Sequence, residues 1–426
     1  MIGQSFFRKY SLTTVSLAFL IALIGAINLA SASQATRPNL YLLQLAWLLI
    51  SVLAAAAVVR IPTHIIEFLT YPLYFFVNGL LVLVLVAGIT VKGAQRWLDL
   101  GFFRLQPSEL AKLVIILVVA RYFSRFRMAG GYTLRALLRP FNISRPVAVA
   151  FLLGARWYSL PEGSLPLGSW VFTGLIGLVV LAWLIISAIL LVRSGLDHQR
   201  IIAPIDIVLV PFFLIVIEPD LGTSLIVLSI ALVQILFCGV RRGSLVIAAL
   251  LGVGLVLGGW NYLLKDYQRQ RVETFLNPES DLQGAGYHAS QSIIAIGSGG
   301  LTGKGLFAGT QTQLSFLPEN QTDFVFSVLA EEWGFVGCSL LILLFMALVL
   351  SMLRAVKDQN EQFAALLCVG AAAMVFWHVI INIGMVTALL PVVGVTLPFV
   401  SYGGSSMVTQ VVAIAFVVNA GFWRRG

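Results

Sequence analysis

The chain has 426 residues, of which 59% are hydrophobic and only 11% charged, and this composition excludes an ordinary soluble domain. A formal net charge of +9 could indicate a nucleic-acid partner, but the basic residues lie in short clusters between apolar runs, where such residues orient membrane helices. We therefore predict an integral membrane protein with no nucleic-acid partner.

Long apolar runs predict ten membrane-spanning helices, because a helix of about 20 apolar residues crosses a bilayer. The first run approaches that length and is interpreted as a retained span, not a cleaved signal peptide. The predicted fold class is therefore an all-α polytopic membrane protein. Its ten core spans are residues 12–32, 40–60, 64–90, 107–124, 204–218, 222–240, 243–264, 323–353, 362–390 and 397–423.

A long stretch, residues 128–200, separates the fourth and fifth predicted spans. It contains two further apolar runs, 146–158 and 169–192, which together would form an inserted helical hairpin near 146–192. A hairpin preserves the orientation of every later span. If 146–158 lies on the surface instead, 169–192 is re-entrant or interfacial.

Lysine and arginine cluster in alternate connections, and short cationic loops stay on the cytoplasmic side of a membrane. This pattern places the N- and C-termini in the cytoplasm. Two segments, 91–109 and 265–320, then face the external side. The second is rich in Gly, Gln, Ser and charge, and a loop of that length is more often functional than a simple connector.

Glu109 and Lys112 lie three residues apart at the start of the fourth span, where Pro107 suits a first helical turn. Residues with this spacing share one helix face. Two interpretations remain open. The residues form a structural ion pair, or they line a polar cavity that handles an anionic head group or a cation.

Two pairs of carboxylates interrupt apolar runs. Glu218 and Asp220 flank a proline where one helix breaks and the next begins, and Asp220 suits a helix cap as well as a catalytic role. Glu331 and Glu332 are adjacent within the eighth span and point to different faces, so at least one of them needs an interior partner.

Five glycines between residues 297 and 305 resemble a phosphate-cradling loop, but they follow no strand and lack the nucleotide-binding context. We interpret them as positions of flexibility and close backbone approach, in a loop over a substrate groove.

The order of these motifs resembles that of the SEDS family, the RodA, FtsW and SpoVE glycosyltransferases of bacterial cell-wall synthesis. Each string alone is weakly specific, but together they cover most of the chain in one order. The glycine-rich strings between 295 and 311 are most similar to the elongation branch, RodA. The matching strings are Gly93-Ala-Gln-Arg-Trp97, Gln106-Pro-Ser-Glu-Leu-Ala-Lys112, Glu218-Pro-Asp-Leu-Gly-Thr223, Asn277-Pro-Glu-Ser-Asp281, Gly284-Ala-Gly-Tyr287, Gln291-Ser292, Gly297-Ser-Gly-Gly300, Gly303-Lys-Gly305, Leu317-Pro-Glu319, Thr322-Asp-Phe324, Glu331-Glu332 and Leu397-Pro-Phe-Val-Ser-Tyr-Gly-Gly-Ser-Ser406.

The resemblance implies one SEDS domain over residues 1–426, with 128–200 as an atypical insertion and 265–320 as a catalytic extracytoplasmic loop. The implied enzyme is a peptidoglycan glycosyltransferase that polymerises lipid II at the outer face of the bacterial cytoplasmic (inner) membrane during cell elongation. The alternatives are a division-type FtsW polymerase, a transporter such as a lipid II flippase or a solute carrier, and a non-enzymatic scaffold for cell-wall assembly. The implied partners, besides lipid II, are a class B penicillin-binding protein transpeptidase and other membrane proteins of the elongation complex.

The resemblance also assigns residues. Asp281 matches the family's essential aspartate, which would take a proton from the attacking sugar hydroxyl as general base. A divalent cation (Mg²⁺ or Mn²⁺) would assist the departure of pyrophosphate, but no metal-ligand spacing is present, and we assign neither a metal site nor a cofactor. The predicted substrate-binding residues are Arg96, Trp97, Glu109, Lys112, Arg271, Gln291, Ser292 and Lys304. The predicted structural or cavity-lining residues are Glu218, Asp220, Asp323, Glu331, Glu332, Ser401 and Ser405.

Overall fold

A helix occupies each of the ten predicted spans in the computed structural model, which describes residues 2–34, 37–91, 94–99, 101, 104–126, 128, 130–138, 182, 185–187, 189, 203–262, 266–277, 285–314, 316–317, 319–357 and 359–423. The helices are α1 Ile2–Ala32, α2 Leu40–Arg60, α3 Thr63–Ala87, α4 Pro107–Arg125, α5 Leu134–Leu137, α6 Pro204–Ile217, α7 Leu221–Phe237, α8 Arg242–Tyr262, α9 Asp266–Leu276, α10 Ala285–Ser298, α11 Thr310–Gln313, α12 Val325–Lys357, α13 Gln362–Val386 and α14 Gly404–Phe422. The inserted hairpin predicted near 146–192 lies outside the described residues, apart from five isolated positions.

Six helices of the described chain, namely α1, α2, α3, α12, α13 and α14, are long and apolar enough to cross a membrane. The apolar helices α6, α7 and the first part of α8 are shorter. The fourth predicted span, α4, has 19 residues and carries charged side chains, among them Glu109, Lys112 and Arg125. The helical, multi-pass membrane fold class is thus confirmed.

Several span boundaries differ from the prediction. The first helix begins at Ile2 instead of residue 12, the eighth ends at Lys357 instead of 353, and the ninth ends at Val386 instead of 390. The third span was expected to reach residue 90, but α3 ends at Ala87 and the chain then forms a strand. The tenth span was expected from residue 397, but residues 397–403 form turns and α14 begins only at Gly404. In both places the apolar run continues beyond the helix, so hydropathy alone could not locate the end.

A small antiparallel sheet, absent from the all-α prediction, follows α3. Its strands are β1 Ile89–Val91, β2 Ala94–Asp99 and β3 Arg104–Leu105, in the order β1-β2-β3. Ile89 pairs with Trp97, and Leu98 pairs with Leu105. The sheet therefore gives Arg96 and Trp97 fixed positions on β2, which pairs with β3, the strand that leads into α4.

The described chain packs as two compact units, each with its own internal contacts. The first contains residues 1–63, 270–360 and 367–426. In it, α2 packs along α14, and the Asn419 side chain donates hydrogen bonds to the carbonyls of Val58 and Ile61 at the end of α2. The α1 helix packs along α12 in the same unit. That residues 1–426 form one domain stays a prediction.

The second unit contains residues 64–269 and 361–366, and α4, α6 and α7 pack together at its centre. The buried side-chain amide of Gln234 in α7 donates to the carbonyls of Ile116 and Leu366, at 3.0 and 2.9 Å. Such interior bonds suit a membrane protein, in which lipid offers polar groups no partner. The first residues of the predicted insertion also belong here, because Tyr132 pairs with Val240 in a β-bridge.

Candidate functional site

The break between α6 and α7 organises a buried polar cluster in the second unit. Glu218 ends α6, Pro219 cannot continue the helix, and Asp220 caps the start of α7. The Asp220 carboxylate accepts a hydrogen bond from the backbone N–H of Thr223 at 3.4 Å. The helix-cap interpretation of Asp220 is thereby confirmed.

Asp220 also contacts side chains of β2 and of the start of α4. Its Oδ2 accepts hydrogen bonds from Gln106 Nε2 at 2.8 Å and from Ser108 Oγ at 3.2 Å. Its Oδ1 lies 3.6 Å from Arg96 Nη1, and the Arg96 side chain is 26% exposed while that of Asp220 is 2% exposed. The cluster thus joins the sheet, the start of α4 and the α6–α7 break around one carboxylate. Sequence reasoning missed Gln106 and Ser108, although both lie in a motif string that it singled out.

Glu218 differs from Asp220 because its carboxylate accepts no hydrogen bond from a described residue. The side chain is 1% exposed, and neither carboxylate oxygen has a hydrogen-bond partner among the described residues. A buried carboxylate without donors is costly unless a proton, a cation or a ligand compensates it. The α6–α7 break therefore contains one carboxylate that is fully engaged and one that is available.

Glu109 and Lys112 form an ion pair in the first turns of α4. Lys112 Nζ lies 2.8 Å from Glu109 Oε1, and both side chains are buried. The ion-pair interpretation is confirmed, and the role of the two residues in binding substrate stays a prediction. Trp97, on the neighbouring strand β2, is half-buried.

A second polar cluster, in the first unit, surrounds Glu331 of α12. Its Oε1 accepts hydrogen bonds from Lys304 Nζ at 2.6 Å, Thr310 Oγ1 at 3.0 Å and the Gln311 backbone N–H at 3.1 Å. Thr312 Oγ1 donates to the other oxygen at 3.4 Å. The Glu331 side chain is fully buried, and that of Lys304 is 27% exposed. The positive charge of Lys304 thus compensates the buried negative charge of Glu331.

The α12 helix is broken at Gly334, where φ is 66° and ψ is −164°. The break separates two amide groups, of Phe335 and Val336, from the carbonyls of Glu331 and Glu332, which they would meet in a regular helix. The amides donate instead to the carbonyls of Gly300 and Leu301, at 2.9 and 3.1 Å.

The two freed carbonyls find partners in the same loop. The backbone N–H groups of Lys304 and Gly305 donate to Glu331 and Glu332 carbonyls, both at 3.0 Å. Four hydrogen bonds between the loop and α12 thus replace two within the helix. This exchange satisfies the backbone groups that a broken helix leaves without partners.

The glycine-rich string is explained by this contact. A Cβ atom at Gly299 would collide with the Ala330 carbonyl, and one at Gly303 would collide with that of Glu332. Gly303 also has a φ of 79°, which other residues rarely adopt. Close backbone approach is confirmed at these two positions, although the loop is fastened to α12 by hydrogen bonds.

Both adjacent carboxylates of the eighth span have interior partners, where at least one was predicted. Glu332 accepts a short hydrogen bond from the hydroxyl of Ser31 at the end of α1. Ser401 donates to the Thr322 carbonyl and accepts from the Leu397 backbone N–H, while the Asp323 carbonyl accepts from Asn382. These residues shape the interior of the first unit.

The remaining predicted site residues are dispersed. Ser292 in α10 is buried and shares hydrogen bonds with the Ser327 hydroxyl and the Val386 carbonyl, which is a packing role in this geometry. Gln291, Arg271 and Ser405 are half-buried, and the Ser405 carbonyl accepts a hydrogen bond from Thr409. Asp281, the predicted catalytic residue, lies outside the described residues. No three His, Cys, Asp or Glu side chains of the described chain group as metal ligands.

A family model described as "Cell cycle protein", for the FtsW, RodA and SpoVE proteins, matches residues 8–156 and 155–425. The peptidoglycan glycosyltransferase MrdB of Escherichia coli K12 is 37% identical over 84% of this chain and 80% of its own length. The probable peptidoglycan glycosyltransferase FtsW of Coxiella burnetii is 31% identical over 94% and 92%. Stage V sporulation protein E of Bacillus subtilis is 32% identical over 81% and 77%.

Solved structures are similar over nearly the whole length. One, described as "Structural coordination of polymerization and crosslinking by a peptidoglycan synthase complex", matches with a TM-score of 0.68 and 27% identity, covering 96% of each chain. The rod shape-determining protein RodA of Thermus thermophilus matches with a TM-score of 0.59 and 26% identity, covering 96% of this chain and 95% of its own. By sequence and by fold, the chain belongs to the FtsW/RodA/SpoVE family of SEDS proteins.

Proposed function

We propose that this protein polymerises lipid II into glycan strands during cell elongation, with Asp281 as the general base. One observation carries the proposal. The E. coli relative named peptidoglycan glycosyltransferase MrdB aligns at 37% identity with most of both chains, against 31% for the Coxiella FtsW. The enzyme class is that of these relatives, and the higher identity favours the elongation branch.

The proposed reaction forms one bond and breaks another. A sugar hydroxyl attacks the anomeric carbon of the lipid-linked donor, the new glycosidic bond forms, and the bond from that carbon to undecaprenyl pyrophosphate breaks. The hydroxyl is a poor nucleophile at neutral pH. Asp281 would take its proton, an effect typically worth about 10²- to 10⁴-fold in rate.

Arg96 leads the proposed contacts to the pyrophosphate. Its guanidinium can bind phosphate oxygens bidentately, it is a quarter exposed, and its ion pair with Asp220 is long at 3.6 Å. Trp97 follows Arg96 on β2, and Glu109 and Lys112 lie in the first turns of α4; all three stay in the proposed binding surface. For Lys304 we place anchoring of the loop ahead of phosphate binding, because its ammonium group already contacts Glu331 and Thr310.

The membrane orientation and the protein partner are also proposed from the sequence and from the similar proteins. The distribution of basic residues supports cytoplasmic termini, with residues 265–320 as the catalytic loop on the outer face of the cytoplasmic membrane. The similarity to a chain of a peptidoglycan synthase complex for polymerization and crosslinking supports a class B penicillin-binding protein as partner. Proteins of the elongation complex would complete the assembly.

The test is lipid II polymerisation by the purified protein with its transpeptidase partner. Asp281→Asn should lower glycan synthesis by about 10²-fold or more. Glu273→Gln is the matched control, since it makes the same carboxylate-to-amide change at an exposed position of α9 and should keep the parent rate. Parent-level synthesis by Asp281→Asn would reject the general base. Translocation of lipid II by the parent without glycan would reject the polymerase and favour a flippase.

A further inference from the structure

The loop fastened to the α12 break has an apolar tip, defined here as residues 299–307. We infer that this tip lies at the boundary of the hydrocarbon core and inserts side chains among the acyl chains of the bilayer. Its sequence is Gly-Gly-Leu-Thr-Gly-Lys-Gly-Leu-Phe, with Lys304 as its one charged residue. The inference does not depend on the catalytic proposal.

The depth of the tip follows from α12. The run from Phe335, just after the break, to Leu353 contains no charged residue, and its 19 residues span about 28 Å as a helix, close to the roughly 30 Å hydrocarbon thickness. One edge of the hydrocarbon core therefore lies near Trp333. The main chain of the tip is bonded to α12 at Glu331, Glu332, Phe335 and Val336, which are the residues on either side of that edge.

The tip continues the lipid-facing surface of α12. Phe335 and Val336 are 66% and 61% exposed at the start of the apolar run. Leu301, whose carbonyl accepts from the Val336 N–H, is 73% exposed. Leu306 and Phe307 are also exposed. Apolar side chains that lie side by side at this depth form one surface, and lipid is the partner already adjacent to it.

Two details indicate that the tip is built to present these side chains. Phe307 adopts a φ of 64°, a left-handed conformation that is strained for a bulky residue and would suit glycine or asparagine. The ring is exposed, so internal packing does not account for an aromatic residue there. Lys304, in contrast, directs its ammonium group to the buried Glu331 carboxylate, which removes the tip's only charge from the lipid-facing side.

The experiment uses fluorescent probes in proteoliposomes. In a background without Cys238, Cys338 and Cys368, an environment-sensitive fluorophore is attached at Leu301→Cys and, in a second variant, at Phe307→Cys. Leu343→Cys, exposed within the apolar run of α12, is the lipid control. Glu319→Cys, exposed beyond the start of α12, is the aqueous control.

Lipids with brominated acyl chains should quench both tip probes at least about twofold more than the Glu319→Cys probe and nearly as strongly as the Leu343→Cys probe. Iodide should quench the tip probes weakly. Iodide quenching equal to that of the Glu319→Cys probe would overturn the inference and leave this face for a protein partner.

The parent protein provides a measurement that needs no substitution in the tip. A photoactivatable phospholipid should leave adducts on residues 299–307 as well as on residues 333–353. Adducts on α12 without any on the tip would contradict the inference, even if the cysteine variants failed to fold.

Discussion

The breaks at α6–α7 and within α12 both leave polar groups inside an apolar region, and the two sites satisfy those groups in different ways. Each interrupts an apolar helix, and each contains two acidic side chains. At α6–α7 one carboxylate, Asp220, caps the next helix, while Glu218 keeps no partner among the described residues. At Gly334 a neighbouring loop exchanges main-chain hydrogen bonds with the helix. Glu331 accepts hydrogen bonds at both carboxylate oxygens and Glu332 at one.

The difference supports our proposal of which break serves chemistry. Carboxylates that a fold supplies with donors hold structure, whereas a buried carboxylate without donors leaves room for a ligand. The α12 break is on this argument architectural. The α6–α7 break adjoins Arg96, which leads the proposed contacts to the pyrophosphate, and Glu218 stays a predicted cavity-lining residue.

The largest loss of stability is expected from Gly303→Ala, which disrupts the contact between the loop and α12. Its Cβ atom would collide with the Glu332 carbonyl, and its φ of 79° is unfavourable for alanine. We expect a loss of about 4 kcal/mol or more, measured as a lower thermal midpoint and less monodisperse protein in detergent. Gly300→Ala is the control, since its φ is also positive but no atom lies within 4 Å, and it should cost about 1–2 kcal/mol. Equal effects of the two changes would contradict the fastened loop.

Lys304→Met should have the next largest effect. It leaves the buried Glu331 carboxylate without its cation, and breaking a buried pair in this way typically costs about 3–5 kcal/mol. Glu331→Gln should cost less, because the partly exposed Lys304 can reach water. In the double variant the buried charge is gone, so its thermal midpoint should recover most of the loss. Additive losses in this double-mutant cycle would show that the pair is not coupled.

The changes at the α6–α7 break should affect stability least. Asp220→Ala removes a helix cap and the acceptor of two side-chain hydrogen bonds, for an expected cost of about 1–2 kcal/mol. Glu218→Gln removes a carboxylate that has no donor, so the thermal midpoint should stay within about 0.5 kcal/mol of the parent or rise. A large loss from Glu218→Gln would show that this residue has a structural partner.

The helices were predictable because apolar runs about 20 residues long have few other structures available in a membrane. The β1–β3 sheet was missed because its strands are short and lie in a segment read only as an external connection. The break of α12 was missed because Gly334 lies in a continuous apolar run. The distant loop at residues 300–305 supplies hydrogen-bond partners to the broken helix, and that contact is invisible to local patterns.

The site was predictable to a different degree. Spacing along one helix was enough for the Glu109–Lys112 pair, and a proline beside a carboxylate was enough for the Asp220 cap. Sequence could not show that Gln106 and Ser108 meet Asp220, more than a hundred residues away. Nor could it separate Lys304, which holds a buried carboxylate, from basic residues that face outward.

The central claim is that the α12 break is structural whereas the α6–α7 break serves substrate binding. It is tested most directly by comparing Arg96→Met with Lys304→Met for glycan synthesis per folded protein and for thermal midpoint. Arg96→Met should lower the midpoint less than Lys304→Met, because its pair with Asp220 is longer, at 3.6 Å against 2.6 Å, and should lose about tenfold or more of polymerisation, the effect of one charged hydrogen bond to substrate. Lys304→Met should lower the midpoint, while its folded fraction polymerises at the parent rate. A stable Arg96→Met with full synthesis, or a stable Lys304→Met without synthesis, would contradict the account.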